Sequence, residues 1–324
     1  MLAQRFNHKM ETVINVITIA MVYLNVFKDK NNCNTGNIYE IYFALFILRK
    51  MGLTDNDLER LKPTLDYLES LGHGNKGISA AVEKIKANPP SSKCMIDGKR
   101  VVDLKNLTQD DDSGTADASL VFEDGTSAGI SLTEGSGKIT EAGLNKVITN
   151  ASVDRMGCAE DIPEIRLLEQ AVTKADKDAY CEEKYGSDRT KWPKKCKFPP
   201  GIAVQTKAAA LLGTRIDSLP DEEKRKTMND ILCINKMPAD YIGFVNKKTY
   251  AVTMYKIKSC QIQKDTWIPK IKSDGVWLKI YCGDILLSKS QVKYNNGVGT
   301  SLRKVNVGAI LNKIFEMEPI KAFE

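Results

Sequence analysis

Residues 115–138 read TADASLVFEDGTSAGISLTEGSGK. The run DASLVF, the pair Asp124-Gly125 and the run SAGISLT make the pattern of a β-hairpin, because Asp-Gly readily takes the left-handed backbone of a tight turn. Asp117 opens the first strand, and the second delivers Ser131, Thr133, Glu134 and, past a glycine-rich bend, Lys138. Antiparallel pairing returns the end of the second strand to the start of the first, so these groups converge. With a three-residue loop, Asp124 to Thr126, Asp117 lies opposite Thr133 and diagonal to Ser131. With a two-residue loop it lies opposite Leu132, and a bulge is needed.

Working outward, residues 9–88 have helical periodicity. Met10, Val13, Ile14, Ile17, Ile19, Ala20, Met21 and Leu24 give one wide apolar face. A second helix starts near Thr35 or Asn37 and ends at Gly52. A third, TDNDLERLKPTLDYLESLG, is capped by Thr54 or Asp55 and is open to a break at Pro63, and a fourth, ISAAVEKIKA, stops before Pro89 and Pro90. Beyond the hairpin, ITEAGLNKVITNAS and IPEIRLLEQAVTKA read as helices, and residues 176–201 as a charged surface excursion. AVQTKAAALLG and PDEEKRKTMNDILCINK are helical again. From 241 to 307 the chain is rich in β-branched and aromatic residues, and VGAILNKIFEM reads as a short closing helix. The expected fold class is mixed α/β (α+β), with a central mixed β-sheet flanked by helices. Four regions follow, 1–90, 91–175, 176–240 and 241–324, compatible with a single domain.

At 324 residues and 42% hydrophobic content the chain can bury its own core. The charge of +6, from 47 basic and 41 acidic residues, is compatible with an anionic partner or with no partner at all. Cys33, Cys94, Cys158, Cys181, Cys196, Cys233, Cys260 and Cys282 form no CxxC pair, which argues against a zinc module or a disulfide scaffold and for thiols in a reducing compartment. VINVITIAMVYLNVF, at 13–27, is too short to span a bilayer, and the charged start does not look like a secretion signal. These features predict a cytoplasmic, non-membrane protein. With only His8 and His73, histidine-based triads and zinc hydrolases are disfavoured, and GHGNKG lacks the order of a nucleotide-binding loop.

Phosphodiester hydrolysis uses a divalent cation to bind phosphate oxygens and acidify a water, and it benefits from a nearby lysine. Magnesium takes oxygen ligands, so two or three carboxylates must converge. In this respect the hairpin resembles the restriction-endonuclease-like nucleases, whose core motif is PD, a spacer, then (D/E)XK. GNIYEIYFALFILRKMG, at 36–52, is similar to the early helix of those enzymes, which carries a glutamate into the metal site; the matching residue is Glu40. The resemblance covers roughly residues 36–150. It implies Mg2+ held by Glu40, Asp117 and Glu134, with Lys138 near the attacking water. The chain departs from the motif in having Ser131-Leu132-Thr133 at the second half and TA before Asp117. Either Glu134 and Lys138 have taken over the missing roles along the chain, or the site binds without cutting, or a catalytic residue has been altered. The structural alternative for each residue is plain: Asp117 a loop-end acid, Glu40 a first-turn carboxylate favoured by the helix dipole, Glu134 and Lys138 turn residues.

Two basic stretches suit nucleic acid. SQVKYNNGVGTSLRKVNVGA places Lys293, Asn295, Asn296, Arg303 and Lys304 around a glycine turn, where lysine and arginine can neutralise phosphates and asparagine can read base edges. RTKWPKKCKF, at 189–198, interleaves Lys194 and Lys195 with Trp192 and Phe198 for backbone contact and stacking. A charged edge hairpin and a charged surface loop are the structural alternatives. The expected function is a magnesium-dependent endonuclease of the type II restriction kind, acting on double-stranded DNA as a homodimer. The alternatives are a non-catalytic nucleic-acid-binding protein on the same scaffold and an intracellular or viral structural protein.

Overall fold

The computed structural model of the chain describes residues 15–29, 35–71, 77–107, 116–135, 146–152, 163–193, 197–235, 239–246, 248–293 and 304–320. It is mixed α/β, as the order of elements predicts. The chain forms two compact units, one built from residues 1–143, 238–258 and 317–324 and the other from 144–237 and 259–316.

In the first unit four helices precede the sheet: α1 (Val16–Asp29), α2 (Thr35–Lys50), α3 (Asp55–Leu71) and α4 (Gly77–Lys86). The side-chain oxygen of Asn15 accepts the Ile17 amide at 3.2 Å and starts α1, whose apolar face buries Ile17, Ala20, Tyr23, Leu24 and Phe27. Thr54 opens α3 in a reciprocal cap: the Asp57 amide donates to Thr54 Oγ1 at 3.1 Å and the Thr54 amide to Asp57 Oδ2 at 3.0 Å. The Thr54 hydroxyl, which donates to Oδ2 at 2.7 Å, and then the Thr54 amide hold the Asp57 carboxyl below its usual range. Pro63 does not split α3, because Leu58, Leu61, Leu65 and Leu68 are all buried on one face and packing outweighs the missing amide bond.

The strands of this unit are β1 (Met95–Ile96), β2 (Lys99–Asn106), β3 (Ala118–Phe122) and β4 (Ser127–Gly135), joined much later by β6 (Tyr241–Asn246), β7 (Val252–Cys260) and β12 (Phe315–Ile320). They form one sheet in the order β1-β2-β3-β4-β6-β7-β12, antiparallel except for the parallel pair β4 and β6 among the registers described. Helix α1 packs on β2, and α2 on β4 and β6. Gly243 lets α2 come close: a Cβ there would meet Leu132 at 2.6 Å and Phe43 of α2 at 3.2 Å. The far end of α2 is fixed by Arg49, only 2% exposed. Its guanidinium donates to the Asn88 and Leu53 carbonyls, each at 2.7 Å, and to Asp55 at 2.8 Å. Gly52, with φ +113°, then turns the chain toward α3.

The second unit contains β5 (Lys146–Ser152), α5 (Pro163–Gln170), α6 (Lys174–Tyr185), α7 (Pro199–Asp217), α8 (Asp221–Ile231), β8 (Pro269–Asp274), β9 (Trp277–Cys282), β10 (Ile285–Lys293), β11 (Lys304–Ile310) and α9 (Leu311–Ile314). Its sheet runs β5-β11-β10-β9-β8, antiparallel throughout, and α7 lies against β8, β9 and β10.

Several expectations are corrected. KVITNAS is a strand, β5, not the end of a helix, because its β-branched residues pair along β11 from Lys146↔Ile310 to Ser152↔Lys304. The closing helix shrinks to Leu311–Ile314, since its flanks are drawn into β11 and β12 and one turn cannot propagate. The charged stretch after 176 holds most of α6, which begins with a reciprocal Thr173–Asp176 cap. Among the described residues no helix is long and apolar enough to cross a membrane. Cys94, Cys260 and Cys282 are outside any disulfide, and burial pushes the Cys94 thiol up to about 12.

Candidate functional site

The β3–β4 ribbon decides the site. Phe122 donates its amide to the Thr126 carbonyl at 2.8 Å, leaving Glu123, Asp124 and Gly125 as the three-residue loop, with Gly125 at φ +79°. The loop is therefore one residue earlier than either register considered from the sequence, because Thr126 is tied to Asp124, its amide bonding Oδ1 at 2.9 Å. Pairing of Ala118 with Ile130 and of Ser119 with Gly129 continues the register so that Asp117 faces Ser131, not Thr133 or Leu132.

Asp117 sits just outside β3, where the ladder ends irregularly. Its own amide donates to the Ile130 carbonyl at 2.9 Å, and its carbonyl receives the Leu107 amide at 3.0 Å. Carboxylate Oδ2 accepts the Leu132 amide at 2.5 Å and the Ser131 hydroxyl at 3.3 Å. Those bonds favour the ionised form, yet burial outweighs them and raises the carboxyl from 3.8 to about 6. Asp117 is thus a half-buried carboxylate whose ionisation is pushed up toward neutrality, and Ser131, 5% exposed, is its hydroxyl partner at the position where an acid was expected.

The second carboxylate arrives from α2. Glu40 is half-buried, and Asn37, one turn earlier, donates to its Oε2 at 3.4 Å. Aromatic packing ties a different stripe of α2 to the β6–β7 turn: the ring of Tyr42 lies 4.7 Å from that of Tyr250, and Tyr39 lies 6.3 Å from it. Tyr250 reaches them from the β6–β7 turn with φ +57°, a left-handed backbone that a tyrosine adopts only when packing holds it there.

Both acids bear electrostatically on a residue that sequence reasoning missed. The Tyr23 hydroxyl, on α1, is buried without a hydrogen-bond partner among the described residues. Burial raises its pKa well above 10, and the fields of Glu40 and then Asp117 raise it further. One buried phenol therefore feels both carboxylates. The only hint in the sequence is that Tyr23 carries the one hydroxyl on an otherwise apolar helix face.

Oxygen donors of this kind suit a hard cation. Among the described residues no group of three or more His, Cys, Asp or Glu side chains is placed to hold a metal ion. For Thr133 and Glu134 the strand backbone is described, with Cα partners Phe244 and Val245 in β6, but their side chains lie outside the described residues, and so does all of Lys138.

The expected nucleic-acid residues belong to the second unit. Lys293 and Lys304 are Cα partners at the end of the β10–β11 ribbon, which lies inside the sheet between β5 and β9 rather than at its edge. Their side chains, and Asn295, Asn296, Arg303, Lys194 and Lys195, lie outside the described residues, as do His8 and His73. Phe198 is corrected: it is 4% exposed, its ring 5.3 Å from that of Tyr180 at the start of α7, and it has no face to offer a base. Trp192 is held by the Gly186 carbonyl at 2.8 Å, with the Arg189 guanidinium 5.3 Å from its ring. Comparison with protein-family models, with curated proteins and with solved structures finds no match for the chain.

Proposed function

We propose that the protein is a magnesium-dependent endonuclease of the restriction kind, acting on double-stranded DNA, with Glu40 and Asp117 as the carboxylates that hold the metal. One observation carries this reading: the two acids, on a helix and on a ribbon far apart in sequence, both bear on the buried hydroxyl of Tyr23. A bound Mg2+ would polarise a phosphodiester oxygen and acidify a water. Asp117 contributes an ionised carboxylate above about pH 6, oriented by the Leu132 amide and the Ser131 hydroxyl. Tyr23 keeps its proton at neutral pH and offers it as a donor in a site poor in water. Glu134 and Lys138 are the candidates for the second ribbon acid and the water-orienting lysine, and a homodimer would present two such sites to the two strands.

The test is incubation with a varied pool of duplex DNA and Mg2+. The expected result is cleavage that Asp117→Ala and Glu40→Ala abolish; intact DNA under all conditions would overturn the enzyme reading. A second reading, nucleic-acid binding without catalysis, is favoured by Ser131, which fills the place of the second acid with a neutral hydroxyl. Salt-dependent DNA binding without metal-dependent cutting would select it.

A further inference from the structure

The sheet of the second unit has one covered face and one open face. Ile271, Leu278 and Ile280 are buried, and α7 approaches on their side, where Gly213 has Leu278 and Ser273 as near neighbours. The alternate residues point the other way. On that face the registers place Lys272 opposite Lys279 and Lys279 opposite Lys289, so three lysines stand in one row across β8, β9 and β10. At ordinary strand spacing the row is about 10 Å long.

Like charges directly opposite each other across strands oppose folding. Each lysine of the row finds a different local partner. Lys289 lies 4.6 Å from the ring centre of Trp277, Lys272 lies 5.7 Å from that of Tyr281, and Lys279 pairs with Asp274. Both rings are half-exposed on the same face, and Lys270, exposed, is the Cα partner of Tyr281. Among the described residues of β8, β9 and β10 the face therefore carries four lysines, two aromatic rings and one acid.

We propose that this open face is a binding surface for single-stranded nucleic acid, the lysine row taking successive phosphates and Trp277 and Tyr281 taking base faces. Charge complementarity selects a polyanion, since four ammonium groups face a single carboxylate. The rings select a single strand: bases in a duplex keep their faces stacked inside, whereas an unpaired strand can lay them on exposed aromatic side chains. The surface is independent of the carboxylates around Tyr23, so its test succeeds or fails without regard to catalysis.

The experiment is fluorescence anisotropy of a labelled oligonucleotide titrated with the full chain, between about 50 and 200 mM salt. Single-stranded oligonucleotide is compared with the same sequence as duplex and with vesicles rich in phosphatidylserine. The expected result is binding that weakens with salt, favours the single strand, and drops about tenfold or more in Trp277→Ala, where a stacking surface is lost. The double substitution Lys272→Glu with Lys289→Glu removes binding, whereas Lys207→Glu with Arg215→Glu, an equal charge change on exposed residues of α7, lowers it little. Circular dichroism establishes that each variant is folded. Unchanged affinity in the folded double variant would overturn the proposal, as would preference for the duplex or for vesicles.

Discussion

The buried phenol of Tyr23 lies within electrostatic reach of the half-buried carboxylate of Asp117, one on a helix early in the chain and the other on a ribbon nearly a hundred residues later. In such surroundings each polar group is held against its preference for water, and substitution there has consequences of predictable sign.

Asp117→Asn is expected to stabilise the protein above pH 6. The folded carboxyl titrates near 6 and the unfolded one near 3.8, so the folded form retains a proton that the unfolded form has released. Stability from this group is fully present below 3.8, falls as pH rises between 3.8 and 6, and is lost above 6. The gain at pH 8 is up to about 3 kcal/mol at 1.36 kcal/mol per unit, and Asn can still accept the Leu132 amide through its carbonyl. Urea denaturation at pH 5 and pH 8 checks this; equal stability losses for wild type and variant across that interval would contradict it.

Tyr23→Phe removes a buried hydroxyl that lacks a partner and is expected to raise stability by about 1 kcal/mol. If the hydroxyl acts as a donor in the reaction, the same variant loses cleavage while its melting temperature rises. Loss of both together would mean that Tyr23 is structural.

Arg49→Met empties the guanidinium position that serves the Asn88 and Leu53 carbonyls and Asp55. It is expected to cost about 2 kcal/mol, since the buried Leu53 carbonyl loses its donor while the part-buried Asn88 carbonyl and the mostly exposed Asp55 can turn to water. Thermal melts give the loss directly. Arg49→Lys should recover only part of it, because an ammonium cannot reproduce the forked geometry.

Gly243→Val should push α2 off the sheet, because a side chain at that position meets Leu132 and Phe43. A loss of about 2 kcal/mol is expected from overpacking, together with loss of any metal response that depends on Glu40. Titration with Mn2+ followed by paramagnetic resonance would register the second effect.

Lys272→Glu turns the first pair of the lysine row from repulsive to attractive and is expected to add about 0.5 kcal/mol of stability while weakening nucleic-acid binding. A chemical denaturation curve alongside the anisotropy titration measures both.

The helices of the first unit were legible because their signals are local: the apolar repeat of α3, its Thr54 cap, and Gly52 after α2. The hairpin was legible for the same reason, since Asp124-Gly125 marks its turn. Its register was not, because it depends on whether Thr126 stays in the turn or pairs with Phe122, and a one-residue shift decides which group Asp117 faces. KVITNAS illustrates the opposite limit, a segment whose helical spacing is overridden by pairing with a strand from the far end of the chain. Tyr23 was hidden because an apolar helix face gives no sign of which later residues will cover it. The lysine row was hidden too, since Lys272, Lys279 and Lys289 become neighbours only through strand pairing.

The parallel join between β4 and β6 also governs how the molecule comes into being. A ribosome exposes the ribbon bearing Asp117 long before it releases Tyr241–Asn246, since the Gly129 amide finds its Asp240 acceptor 111 positions downstream. Until that strand arrives, one flank of the nascent ribbon is an open ladder, and refolding from denaturant should be slow and sensitive to protein concentration.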